Sequence, residues 1–165
     1  MKLILIGFMG SGKTSVGQEL SKKLNLKYID LDLEIIDLSE QKNIPKIFVE
    51  LGEAGFRKLE TQALKNTLKQ DSFVLATGGG VVVTQENREL LKDLDLMVVF
   101  LETNFSVLKD RIGEDPNRPL FQDILKAQDL FEARKEYYAN LADFTINTDS
   151  LNVSEIVNKI LNLLK

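Results

Sequence analysis

The sequence predicts an α/β fold in which a buried parallel sheet lies between two layers of helices. Three observations predict it. Five short apolar runs recur along the chain, Leu3 to Ile6, Tyr28 to Leu31, Phe73 to Ala76, Leu96 to Leu101 and Phe144 to Ile146. They are largely apolar throughout rather than alternating, which marks strands buried on both faces, as in parallel sheets. Segments of helical period separate these runs and supply the crossovers that parallel strands require. The third observation is GFMGSGKT at residues 7 to 14, directly after the first run, with the glycine spacing of a loop that joins a strand to a helix.

Each element follows in order. Leu3 to Ile6 reads as a strand, because it is far too short for a signal peptide and has no small-residue cleavage site. The helix after the glycine loop carries Val16, Leu20 and Leu24 on its buried side. From Leu33 to Gln70, two or three helices fill the space usually given to one crossover, with breaks at Ile44-Pro45 and Gly52. Residues 33–70 therefore read as an inserted helical subdomain. Residues 113–122, GEDPNRPLFQ, hold two of the three prolines and open on a glycine; they read as a flap over a site or as an ordinary exposed loop. The last helix places Val153, Ile156, Val157, Ile160, Leu161 and Leu164 on one face, behind a capping box at Asn152-Val-Ser-Glu155.

With 165 residues, 44% hydrophobic and 28% charged, the chain supports one globular domain with its own core. No linker or repeat divides it, and residues 1–165 read as a single unit, expected to be a monomer. The formal charge of −4 gives a nucleic-acid backbone no general positive field. No apolar run approaches the roughly 20 residues that span a bilayer. Neither nucleic acid nor membrane is an expected partner. The absence of cysteine fits a reducing compartment, so a cytoplasmic location is expected. The absence of histidine excludes a Ser-His-Asp triad and imidazole-ligated metal. Chemistry must run on carboxylates, lysine, arginine and hydroxyls.

The G-x-x-x-x-G-K-T spacing from Gly7 to Thr14 directs attention to phosphate. Backbone N–H groups around Gly10, Ser11, Gly12 and Ser15 can turn inward on phosphate oxygens, helped by the positive end of the following helix. Lys13 can reach the β- and γ-phosphates, and the Thr14 hydroxyl can ligate Mg²⁺. The plainer reading is a glycine-rich turn, but the strand before and amphipathic helix after favour nucleotide binding. The loop alone does not separate kinases from GTPases, ATPases or helicases.

Other candidates fall at the ends of later runs. YIDLD puts Asp30 and Asp32 where the second strand ends, and strand carboxyl ends are where open α/β sheets bind ligands. In extended chain the two carboxylates project the same way, one towards metal-bound water and one towards a substrate hydroxyl; alternatively one of them caps a helix beginning near Leu33. ATGGG puts Gly78, Gly79 and Gly80 after the third strand, where a ligand could lie against bare backbone or the chain could simply turn. Arg57, Arg118 and Arg134 suit anion recognition if they converge, although each singly reads as a solvated surface residue.

Taken in order, GFMGSGKTSVG, YIDLD, IFVELGEAGFRKLE, ATGGGVV, Arg111 with Arg118-Pro119-Leu120, and Arg134 with Tyr138 and Ala142 resemble the shikimate kinase family over essentially the whole chain. The resemblance implies a P-loop, nucleoside-monophosphate-kinase-like fold: a three-layer α/β/α arrangement with a five-stranded parallel sheet, a helical substrate-binding insertion and a lid at 113–122. It implies transfer of a phosphoryl group from ATP to the 3-hydroxyl of shikimate, in aromatic amino acid biosynthesis. By motif position, Lys13, Asp32 and Arg118 would be catalytic, with Asp32 meeting the acceptor hydroxyl. Arg57 and Arg134 would clamp the shikimate carboxylate, and Gly78 to Gly80 would lie against the ring. Arg111 would stack on adenine and Arg118 would contact phosphate; Mg²⁺ would be held by Thr14 directly and by Asp30 through water. The chain departs from the family at Glu136-Tyr137-Tyr138-Ala139-Asn140, where Pro-Leu-Tyr and an acidic residue are usual; these positions read as structural. A gluconate or nucleotide kinase, or a catalytically silent nucleotide-binding regulator, is the alternative, against which Asp32, Arg57, the three glycines and Arg134 stand together.

Overall fold

The computed structural model describes residues 1–113 and 123–165. The strands are β1 (Lys2–Ile6), β2 (Tyr28–Asp30), β3 (Phe73–Ala76), β4 (Leu96–Glu102) and β5 (Phe144–Asn147). The helices are α1 (Lys13–Leu24), α2 (Leu31–Ser39), α3 (Ile44–Leu68), α4 (Gln85–Leu90), α5 (Phe105–Ile112), α6 (Ile124–Leu141) and α7 (Val153–Leu163). All strands pair in parallel, in the order β2-β3-β1-β4-β5. Each of the five apolar runs thus forms a strand. β1 lies at the centre, with Ile4 paired to Leu75 on one side and Val98 on the other.

Residues alternate between two cores across the sheet. Ile4, Ile6, Ile29, Leu75, Val98 and Phe100 face a cluster closed by α2, α3 and α6. Leu3, Leu5, Val74, Val99 and Leu101 face a second cluster closed by α1 and α7. On α7, Ile156, Val157 and Ile160 are buried, each burial stabilising the fold by about 1.5–3 kcal/mol. The capping box between Asn152 and Glu155 forms in both directions.

The helical insertion follows its sequence signals. Pro45 sits in the first turn of α3, behind Asn43, whose side chain accepts from the Lys46 N–H. Gly52 has φ 66°, a left-handed value that breaks the helical path and kinks α3 inside its span. One expectation fails between Asp30 and Asp32. The chain becomes helical at Leu31, not near Leu33, so the two aspartates do not share an extended segment. Asp30 is the N-cap of α2, with Oδ1 accepting from the Asp32 N–H at 3.0 Å. Capping outcompetes extension here because aspartate satisfies an orphan N–H of the first turn.

Candidate active site

The strand order brings the ends of β2, β3 and β1 side by side, so YIDLD, TGGG and the glycine loop occupy one edge. At the end of β1, Gly12 forms the N-cap of α1 with φ 94°, a conformation glycine adopts without strain. No side chain caps α1, and its first turn holds no acidic residue. Its first N–H groups and dipole are thus aimed at an anion. Lys13 is buried, with Nζ donating to the Gly7 and Phe8 carbonyls at 2.8 and 2.9 Å. Ser11 is buried beside it, whereas Thr14 and Ser15 are exposed on the first turn. A Cβ on Gly10 would lie 2.8 Å from Ile112 Cδ1, so the last turn of α5 covers the loop.

The facing wall is assembled from α2, α3, the 77–80 loop and α6. Arg57 donates through Nη1 to Glu60 Oε2 at 2.8 Å and reaches Glu53 at 3.4 Å. Its guanidinium lies 5.2 Å from the Phe56 ring centroid. Arg134 donates through Nη1 to the Gly79 carbonyl at 3.4 Å and stands over Phe8. Tyr138 donates to the same carbonyl, its ring stacked on Phe100 at 5.2 Å. Of the three arginines, Arg57 and Arg134 border the same short segment, Arg57 against Gly80 and Arg134 on the Gly79 carbonyl. The Nε atoms of Arg57 and Arg134 are buried without a hydrogen-bond partner.

The three glycines bring chain against chain. A Cβ on Gly78 would sit 2.8 Å from Asp32 Oδ1, and one on Gly80 would sit 2.5 Å from Arg57 Nη1. A Cβ on Gly79 would approach the Met9 N–H nitrogen to 3.2 Å. The loop therefore lets Asp32, the phosphate loop and Arg57 close on one backbone segment.

Sequence reading assigned no role to Glu60 or Tyr138. Glu60 is 1% exposed, and burial pushes its carboxyl above the ordinary value; Arg57, by charge and hydrogen bond, opposes the shift without cancelling it. Its signal was the i,i+3 spacing from Arg57, which puts both on one helix face. Burial likewise raises the Tyr138 phenol above its usual range. On the other side of the phosphate loop, Arg111 is exposed and donates to the Thr148 carbonyl and hydroxyl at 2.5 and 3.2 Å, tying α5 to the segment after β5. Arg118 and residues 114–122 of the lid expected at 113–122 lie outside the described residues.

Among the described residues, no three His, Cys, Asp or Glu side chains come together to hold a metal ion. The hydroxyl and carboxylate oxygens of Thr14 and Asp30 fit Mg²⁺, which keeps several waters and takes substrate phosphates instead of a protein cage. No helix among the described residues is long and apolar enough to cross a membrane.

A loop that grips phosphate, opposed by a carboxylate and two guanidiniums at neighbouring strand ends, suits one class of catalyst: an ATP-dependent kinase that phosphorylates a hydroxyl. Known proteins narrow that class. A family model described as "Shikimate kinase" matches residues 9–165. The shikimate kinase of Enterococcus faecalis is 44% identical over 167 residues, covering 99% of this chain and 98% of that protein. A solved structure of shikimate kinase from Acinetobacter baumannii in complex with shikimate is 38% identical with a TM-score of 0.91, covering 99% of this chain and 92% of that one. A gluconokinase from Sinorhizobium meliloti, 20% identical with a TM-score of 0.71 over 98% of this chain and 89% of that one, shares the fold alone. The chain belongs to the shikimate kinase family.

Proposed function

We propose that this site transfers the γ-phosphoryl group of ATP to the 3-hydroxyl of shikimate, with Asp32 meeting the hydroxyl and Arg57 and Arg134 binding the acceptor carboxylate. One observation carries this assignment. Two guanidiniums flank one glycine segment, each with a buried Nε–H that has no partner. An unsatisfied buried donor costs about 1–3 kcal/mol, and a carboxylate between the two forks would satisfy both. The pair suits a carboxylate acceptor, which a nucleotide is not; gluconate is one too, and the family match supports shikimate over it.

The acceptor oxygen attacks the γ-phosphorus as the bond from phosphorus to the β,γ-bridging oxygen breaks, leaving ADP. The hydroxyl proton passes to an Asp32 carboxylate oxygen. Lys13 and the N–H groups at Gly10, Ser11, Gly12, Thr14 and Ser15 hold the phosphates, so the chain supplies position and charge more than covalent chemistry. Thr14, and Asp30 through water, would hold Mg²⁺, which would supply positive charge against that of the phosphates. The Asp30 cap of α2 fixes the first turn of that helix, and with it Asp32. Gly78 to Gly80 would border the shikimate ring. Residues 33–70 would act as the acceptor subdomain and 113–122 as a lid, with Arg111 beside adenine and Arg118 on phosphate. A cytoplasmic monomer is the proposed working form.

A coupled assay of ADP release with shikimate, gluconate and a nucleoside monophosphate tests the proposal. Mg²⁺-dependent turnover with shikimate alone is expected. Turnover with another acceptor and none with shikimate would reject it.

A further inference from the structure

Tyr28 opens β2 and is half-buried against α1. Its ring lies where a side chain on Gly17 would otherwise go: a Cβ there would be 2.8 Å from Tyr28 Cε2. Gly17 is one helical turn after Thr14, so a ring laid across Gly17 points its hydroxyl along α1 towards the helix start. That hydroxyl donates to Asp30 Oδ2 at 3.1 Å. The other oxygen, Oδ1, accepts from the Asp32 N–H at 3.0 Å. Thr14 lies one turn before Gly17 on α1, on the side towards which the hydroxyl points. Tyr28 and Asp30 thus lie between the phosphate loop and the start of α2, with Asp30 joined to Asp32 through the Asp32 N–H.

The phenol O–H can donate as well as accept, so it suits a carboxylate oxygen. Nothing in the transfer chemistry requires that donor. A phenylalanine would fill the same space against Gly17, so packing alone does not explain the hydroxyl.

We infer that Tyr28 is a positioning residue for the magnesium side of the site, its hydroxyl fixing the Asp30 carboxylate relative to the Thr14 hydroxyl without touching nucleotide, metal or acceptor. The inference rests on the proposed roles of Thr14 and Asp30. Groups behind a metal's ligands set the orientation of the oxygens that meet it or its waters, and their loss typically weakens metal affinity 10- to 100-fold. In Tyr28→Phe, Asp30 keeps its contact with the Asp32 N–H, so α2 remains capped, but Oδ2 loses the donor that aims it.

The test is calorimetric titration of ADP into wild type and Tyr28→Phe at a series of Mg²⁺ concentrations and in EDTA, with shikimate titrated separately and thermal melting recorded. In Tyr28→Phe, the Mg²⁺ concentration that half-maximally tightens ADP binding should rise roughly 10-fold. ADP affinity in EDTA and shikimate affinity should stay within about twofold, since neither uses the phenol. Gly17→Ala provides a second route, because it keeps the hydroxyl, raises helix propensity and pushes the ring aside. It should shift the Mg²⁺ midpoint in the same direction. An unchanged midpoint in Tyr28→Phe overturns the inference, whatever happens to its melting temperature. So does an equal loss of ADP affinity in EDTA and in Mg²⁺, which marks a general packing role. If wild type binds ADP in a Mg²⁺-dependent way but does not phosphorylate shikimate, the proposed acceptor fails while the Tyr28 result still stands or falls by itself.

Discussion

In the proposed site the phosphate loop of the donor end occupies one stretch of chain, residues 7 to 15, whereas the acceptor end draws Asp32, Arg57, Gly78 to Gly80, Arg134 and Tyr138 from four separate segments. The donor end works mainly through backbone N–H groups and a helix terminus, with Lys13 folded across its own loop. Its turn is set largely by local conformation, although Ile112 and the 77–80 loop pack against it. The acceptor end works through side chains that hold one another. Arg57 rests on Glu60, Arg134 and Tyr138 meet at the Gly79 carbonyl, and Asp32 fits against Gly78. Damage to one of these members reaches the others.

The largest effect that separates the two ends is expected from Asp32→Asn. Turnover should fall about 10²- to 10⁴-fold, the usual loss for an acid–base group, while ADP affinity is unchanged by calorimetry. A near-normal rate would remove Asp32 from the chemistry. Next in size is Gly80→Ala, whose Cβ would come within 2.5–2.9 Å of the Arg57 guanidinium. Glu60 holds that guanidinium, so moving it also strains a buried ion pair and the melting temperature should fall. The displaced fork should raise the KM for shikimate about 10- to 100-fold, as for lost hydrogen bonds to a charged group, with the KM for ATP held. A large loss of stability with both KM values intact would show that Gly80 serves the fold instead.

The smallest effect concerns pH. Burial raises the Glu60 carboxyl above its ordinary 4.5 in the folded protein. Between 4.5 and the folded value, the native state binds the proton more tightly than the unfolded chain, so stability falls as pH rises through that window. Urea unfolding across mildly acid pH should therefore show wild type gaining stability relative to Glu60→Gln as pH drops. An opposite slope would mean that the Arg57 ion pair dominates the burial cost.

The strands were legible because each is an uninterrupted apolar run, and the breaks at Pro45 and Gly52 because those residues restrict or free the backbone. The donor loop was legible because its requirements are local. The cap at Asp30 was one of two readings, and the helix start was placed two residues late because Leu31, fully buried, extends the apolar run by one residue. The role of the three glycines was half legible: their bareness was visible, but not that Asp32, Met9 and Arg57 take up the space. Glu60 and Tyr138 were recorded only as motif letters, since burial and convergence depend on segments tens of residues apart.

The central position of β1 has a consequence during synthesis. Lys2 pairs with Phe73 on one side and Leu96 on the other, so the earliest of the five strands to be made waits longest for both its neighbours. At about 5–20 residues per second, its two unpaired edges wait several seconds for β3 and β4. During that interval the nascent chain carries a complete glycine loop with no sheet to hold it, and its first strand must be kept from pairing with the wrong partner.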